Sequence, residues 1–224
     1  MNFYPVLSWI PNVDLTKMKF LVYMVTLFGL SMGTTKSFGS CPPVRGVENF
    51  EVQRYLGVWY EYSSVFELFS IGARCVRATY SDLGNNTLRV FNEQVNYYTG
   101  NYGNLEGYAK PANETSDIAE FIVIFPDIPG GGRKTAPNYN VVKTDYESYA
   151  VVYNCNQYPL IKTESLWLLT REQNPSQELV EQLYSEMREM GLPVDSFYKT
   201  EQSNCTQLPE PGTVQYKFSP ESLG

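Results

Sequence analysis

The 224-residue chain contains no histidine. That removes the side chain that most often serves as general base near neutral pH, and with it the usual Ser-His-Asp site and most zinc sites. Positive charge is scarce too: 17 Lys and Arg stand against 24 Asp and Glu, a net charge of −7. Without a basic face to neutralise phosphates, no nucleic-acid partner is expected. No apolar run reaches the roughly 20 residues that a membrane-spanning helix needs. Repeats and low-complexity tracts are absent from the sequence, and no metal or cofactor is expected. What the chain does have is aromatic residues, with 18 Tyr and 12 Phe, which favour strands over helices. Its 43% hydrophobic content suffices for one well-filled core.

The amino end reads as a leader. From Met18, "MKFLVYMVTLFGLSMGTTKSFGSC" gives a short basic flank at Lys19, an apolar run from Phe20 to Met32, and small residues around Ser37-Phe38-Gly39. This is the pattern of a secretory signal peptide. Residues 1–39 are therefore expected to be an extension plus signal, 40–207 a folded domain, and 208–224 a polar tail. Secretion gives the four cysteines, Cys41, Cys75, Cys155 and Cys205, an oxidising setting in which an even count reads as disulfides. Four cysteines allow about three pairings, and the count does not choose among them. Asn85-Asn86-Thr87 and Asn113-Glu114-Thr115 are glycosylation acceptors in turn-like contexts.

Eight β-rich runs follow a Pro-containing leading segment, "CPPVRGVENFEVQRYL". They cover Val58 to Tyr62, Cys75 to Ser81, Thr87 to Val95, Leu105 to Ala109, Ala119 to Phe125, Tyr139 to Thr144, Tyr149 to Cys155 and Leu166 to Arg171. Turn chemistry separates them, as in "DLGNN" and "DIPGGG". Phe121, Val123 and Phe125 share one face, and so do Tyr149, Val151 and Tyr153. One helix comes late, at about 176–190, with Asn174 or Ser176 as cap and Gly191 then Pro193 as stop. Its stripe of Leu179, Val180, Leu183, Met187 and Met190 predicts packing on the outside of a sheet. The fold class is thus all-β: an eight-stranded antiparallel up-and-down β-barrel with one C-terminal helix packed outside. A two-sheet sandwich is the alternative.

Three blocks carry a more specific signal: Gly57-Val58-Trp59 at the first strand, Thr144-Asp145-Tyr146 after the sixth, and Thr170-Arg171 ending the eighth. In this order they resemble the signature blocks of the lipocalins. "TDYESYAVVYNC", "QSNC" and the four cysteines are similar to the branch that holds apolipoprotein D and the insect Lazarillo-type proteins. The resemblance implies a closed barrel end sealed by Trp59, with Arg171 stacked across the indole, so Gly57, Trp59, Thr144, Asp145, Tyr146 and Arg171 are architectural. It also implies the pairs Cys41–Cys155 and Cys75–Cys205.

By the same resemblance Trp167, Tyr80, Tyr139 and Asn92 line a cavity, with Leu169 on the face of Trp167; an outer-face position under the helix is the alternative for the tyrosines and for Trp167. Aromatics with a few polar groups suit an apolar ligand with one hydrogen-bonding end. The expected function is a secreted, extracellular carrier of a small hydrophobic ligand: sterol-like, retinoid, fatty acid or bilin. Two other readings are a lipocalin-fold isomerase, which would need Cys75 as a free thiol, and a signalling or structural protein without a ligand. Enzymatic activity is not expected. Phe66, Leu68, Phe69 and Ile71, in the loop after the first strand, are expected either to touch a membrane or lipoprotein surface or to fold inward as a lid.

Overall fold

A computed structural model describes residues 35–65, 72–128 and 135–218. Met1–Met32 and Gly33–Gly224 form separate units, and only the second contains described residues. The loop with Phe66, Leu68, Phe69 and Ile71 lies outside the described residues, as does most of the leader.

Among the described residues ten antiparallel strands make one sheet: β1 (Thr35–Phe38), β2 (Gly57–Val65), β3 (Ala73–Gly84), β4 (Thr87–Asn96), β5 (Tyr102–Pro111), β6 (Glu120–Ile124), β7 (Tyr139–Thr144), β8 (Tyr149–Gln157), β9 (Ile161–Thr170) and β10 (Phe197–Lys199). Strands β2 to β9 pair in sequence order, and β9 returns to β2 to close the barrel. All eight expected runs fall within or largely overlap these strands. β1 and β10 were not expected: β1 pairs with the start of β9, and β10 with the end of β2. Residues Thr35–Phe38, which cleavage after Gly39 would remove, are thus paired in the full chain.

Side chains alternate between two cores. The inward set includes Trp59, Tyr80, Phe121, Val123, Ala150, Val152 and Leu169. The outward set on β8 and β9, with Val151, Tyr153, Leu166 and Leu168, lies under α2 (Gln177–Glu189) through Val180, Leu183 and Met187. Burial on both faces explains why the intervening positions of these strands are apolar as well. Ser176, not Asn174, caps α2, its hydroxyl accepting from Leu179 N at 3.2 Å. Gly191 ends the helix at φ +75°.

The barrel closes through a seam. β2 pairs with β3 only from Gly57 to Tyr60, then with β9 from Tyr60 to Ser64, with a bulge after Glu61. Where β2 and β3 part, the chain after β10 fills the gap. Gln202 Nε2 donates to Glu61 O at 2.9 Å and to Val76 O at 2.7 Å, so a side-chain amide stands in for a missing backbone partner. The Cys75–Cys205 disulfide, with Cα atoms 5.6 Å apart, holds this segment in place.

Candidate functional site

The residues before β2 seal one end of the barrel. The short helix α1 (Val52–Tyr55) delivers Tyr55, which is 2% exposed, onto Trp59 and Tyr80 with ring centroids 5.1 and 5.4 Å apart. Trp59 is fully buried, and its Nε1 donates to Tyr55 O at 2.8 Å. Arg171 lies over the indole at 3.7 Å. Its guanidinium also donates to the carbonyls of Tyr146 (3.0 Å), Val58 (2.8 Å) and Arg54 (3.0 Å), tying three chain segments together. Gly57 makes this possible: it sits at φ +96°, and a Cβ there would stand 3.4 Å from Arg171 Nη1.

Asp145 accepts from the N–H groups of Glu147, Ser148 and Tyr149 at 2.8–3.0 Å. Burial opposes ionisation of its carboxyl, but these bonds outweigh it and hold the pKa below the ordinary value. Thr144 Oγ1 donates to Tyr149 O and accepts from Tyr146 N, completing the turn. Tyr146, at φ +70°, packs on Phe50 and under Arg54. The signature residues therefore all work at the closed end, as builders of the wall.

Inward positions further along the strands are different. Tyr80, Tyr139, Trp167 and Leu169 share the inner cluster, so neither tyrosine lies under the helix. Asn92 pairs with Ala78, which packs on the same cluster, and direct antiparallel partners share a face. Ala78, Asn92, Tyr139 and Trp167 keep partial exposure although they point inward, whereas Trp59, Ala150 and Val152 have none. Within β9, Trp167 is the one partly exposed residue between Thr163 and Thr170. Partly exposed and fully buried positions stand side by side on the inner wall: Ala78 lies opposite Trp59, and Trp167 opposite Val152.

Three phenols meet on this wall. Tyr139 OH lies 2.8 Å from Tyr55 OH and 2.7 Å from Tyr80 OH, and the Tyr139 ring stacks toward Trp167 at 6.4 Å. Burial raises all three pKa values, that of Tyr80 to about 12, so the hydroxyls stay protonated. Three protons serve two mutual bonds, which leaves one to donate elsewhere.

The sequence reading missed two of these contributors. Tyr55 sits on a four-residue helix, too short to show a period. Glu61 could have been found, since it lies two residues beyond Trp59 on one strand face, opposite inward Leu169. Burial raises its carboxyl above the ordinary range, only partly offset by hydroxyl bonds from Thr200 (2.5 Å) and Ser64 (3.1 Å). Both hydroxyls use Oε1, and among the described residues no Lys or Arg pairs with this acid.

Cys41 is bonded to Cys155 and Cys75 to Cys205, and no cysteine is free. The thiol required by the isomerase alternative is therefore absent. Asn85 and Asn113 are exposed, in the β3–β4 turn and between β5 and β6, both on the side of the closed end. No cluster of acids and cysteines suited to a metal occurs among the described residues.

The family model for a lipocalin-like domain matches residues 50–202. Apolipoprotein D of Mus musculus is 31% identical over 191 residues, spanning 85% of this chain and 97% of that protein. The Lazarillo protein of Schistocerca americana is 30% identical over 182 residues, 80% of this chain and 82% of its own length. Among solved structures, insecticyanin from the tobacco hornworm Manduca sexta superposes with a TM-score of 0.66 at 20% identity, covering 80% of this chain and 94% of that one. Sealed barrel end, signature blocks, helix and sequence similarity agree: the chain belongs to the lipocalin family.

Proposed function

We propose that this protein is a secreted carrier whose barrel lumen holds a small hydrophobic molecule with one hydrogen-bonding end. The observation that carries this reading is the partial exposure of inward-facing Trp167, Tyr139, Ala78 and Asn92 on an inner wall that is otherwise largely buried. Aromatic walls with few polar groups suit such a ligand. The spare phenol proton at Tyr55–Tyr139–Tyr80 supplies a donor for a ligand oxygen. Glu61 on the same wall, without a cationic partner, disfavours a ligand carboxylate. Sterol-like molecules and retinoid alcohols fit better than fatty acids or bilins. Two disulfides accord with an extracellular location.

The test is a titration of dehydroergosterol, retinol, cis-parinaric acid and biliverdin into wild type and Trp167→Phe. Trp59 is sealed away, so quenching is expected to come mainly from Trp167 and to fall sharply in the variant. Undiminished quenching in the variant would remove Trp167 from the lumen. Tighter binding of the fatty acid than of the sterol would overturn the preference for a neutral oxygen.

The open end supports one partner. Tyr97 and Tyr98 in the β4–β5 turn are 63% and 79% exposed, and Leu160 in the β8–β9 turn is 78% exposed. Both turns lie opposite the Trp59 end and carry no charge, as "YYTGN" and "YPL" show. Such a rim suits a neutral lipid or lipoprotein surface, and the acidic body would be repelled by anionic lipid. Wild type is expected to float with phosphatidylcholine vesicles and Tyr98→Ser/Leu160→Ser to float much less. Equal flotation of the two, or none by wild type, speaks against the rim as a contact.

A further inference from the structure

The tail reads as polar, yet it is docked on the barrel. Residues 209–218 cross the outer face of β3, β4 and β5, where two ion pairs are buried. Arg77 bonds Glu93 at 2.7 and 3.0 Å, with side chains 5% and 2% exposed. Arg89 meets Glu106 at 3.2 Å, with side chains 11% and 2% exposed. The strand register sets Arg77 opposite Glu93, Phe91 opposite Glu106 and Arg89 opposite Tyr108, so the six residues form one outward patch.

The tail meets this patch mostly through its backbone. Arg77 Nη2 donates to Pro209 O, and Arg89 Nη2 to Phe218 O. The Glu106 carboxylate accepts from two consecutive amides, Lys217 N at 2.6 Å and Phe218 N at 3.0 Å. Two aromatics add the apolar contacts. Tyr216 stands edge-on to Phe91 at 5.1 Å and under Arg89 at 4.2 Å, and Phe218 meets Tyr108 at 5.8 Å. Charged groups that bond backbone amides and carbonyls recognise an extended chain of nearly any sequence. Two aromatic contacts one residue apart then set the selectivity.

We propose that the outer face of β3–β5 is a binding site for an extended peptide of the form aromatic-x-aromatic, occupied in this chain by its own tail. The site is separate from the lumen and does not depend on a ligand there. The tail is tethered just after Cys205, itself bonded to Cys75, so it acts at a high local concentration and excludes a free peptide. A partner segment of this chemistry binds when the tail is displaced.

The test uses a fluorescent peptide with the sequence of residues 213–218, read by anisotropy against two full-length proteins. Wild type is expected to bind it weakly. Tyr216→Ala/Phe218→Ala, which loosens the tail and leaves the barrel intact, is expected to bind at least about tenfold more tightly. A control peptide with both aromatics replaced by Ala is expected to bind neither protein. Equal affinity in the two proteins, no binding to the variant, or equal binding of the control peptide would overturn the proposal. Slow amide exchange at Lys217 and Phe218 in wild type, lost in the variant, reports the release of the tail directly; rapid exchange in wild type would contradict its docking.

Discussion

Replacing Arg171 by Ala is expected to lower the unfolding free energy by roughly 4 kcal/mol. The stacking on Trp59 accounts for about 1–2 kcal/mol of this, the usual size of a desolvated cation–π contact. The remainder comes from three backbone carbonyls, of Val58, Arg54 and Tyr146, that lose a charged donor at once. Arg171→Lys keeps the charge but not the planar fork, so it should recover less than half of the loss. Denaturant midpoints of the three proteins decide the matter. A lysine variant as stable as wild type would show that charge alone seals this end. Ligand quenching at Trp167 should change far less than the midpoint, because Arg171 contributes nothing to the accessible part of the wall.

The double variant Cys75→Ala/Cys205→Ala is expected to lose about 4–5 kcal/mol, since the bond closes a loop with a sequence separation of 130 residues. The bond also positions Glu201 and Gln202, whose backbone and side chain complete the seam between β2 and β3. Oxidised wild type and the variant can be compared by guanidinium unfolding. A loss below about 1 kcal/mol would mean that the denatured chain is already compact around this loop, or that the seam holds without its anchor.

The eight barrel strands were legible because each buries at least one face and carries β-branched or aromatic residues between turn signals. α2 was legible from its period and its stop at Gly191. β1 and β10 were not, because three or four residues make no pattern, and their pairing is set by open stretches of β9 and β2. Within the site, the family resemblance singled out Tyr80, Tyr139, Asn92, Trp167 and Leu169 as candidates. Composition alone would not have done so, in a chain with 18 tyrosines. The hydroxyl network needed Tyr55, hidden in the short helix before Gly57. Glu61 was visible by alternation, but its partner Thr200 lies 139 residues away. The docked tail looked like solvent-exposed chain because most of its polar contacts use main-chain atoms, which leave no trace in composition.

The seam also sets an order on synthesis. β2 emerges early, but the partner for Tyr60 to Ser64 is residues 167–170, and the amide that satisfies Glu61 O belongs to residue 202. At translation rates of roughly 5–20 residues per second, β2 waits on the order of ten seconds with one edge unpaired. During that interval the nascent chain is a half-built sheet, open to pairing with a neighbouring chain. Its last requirement arrives only after residue 202 has left the ribosome.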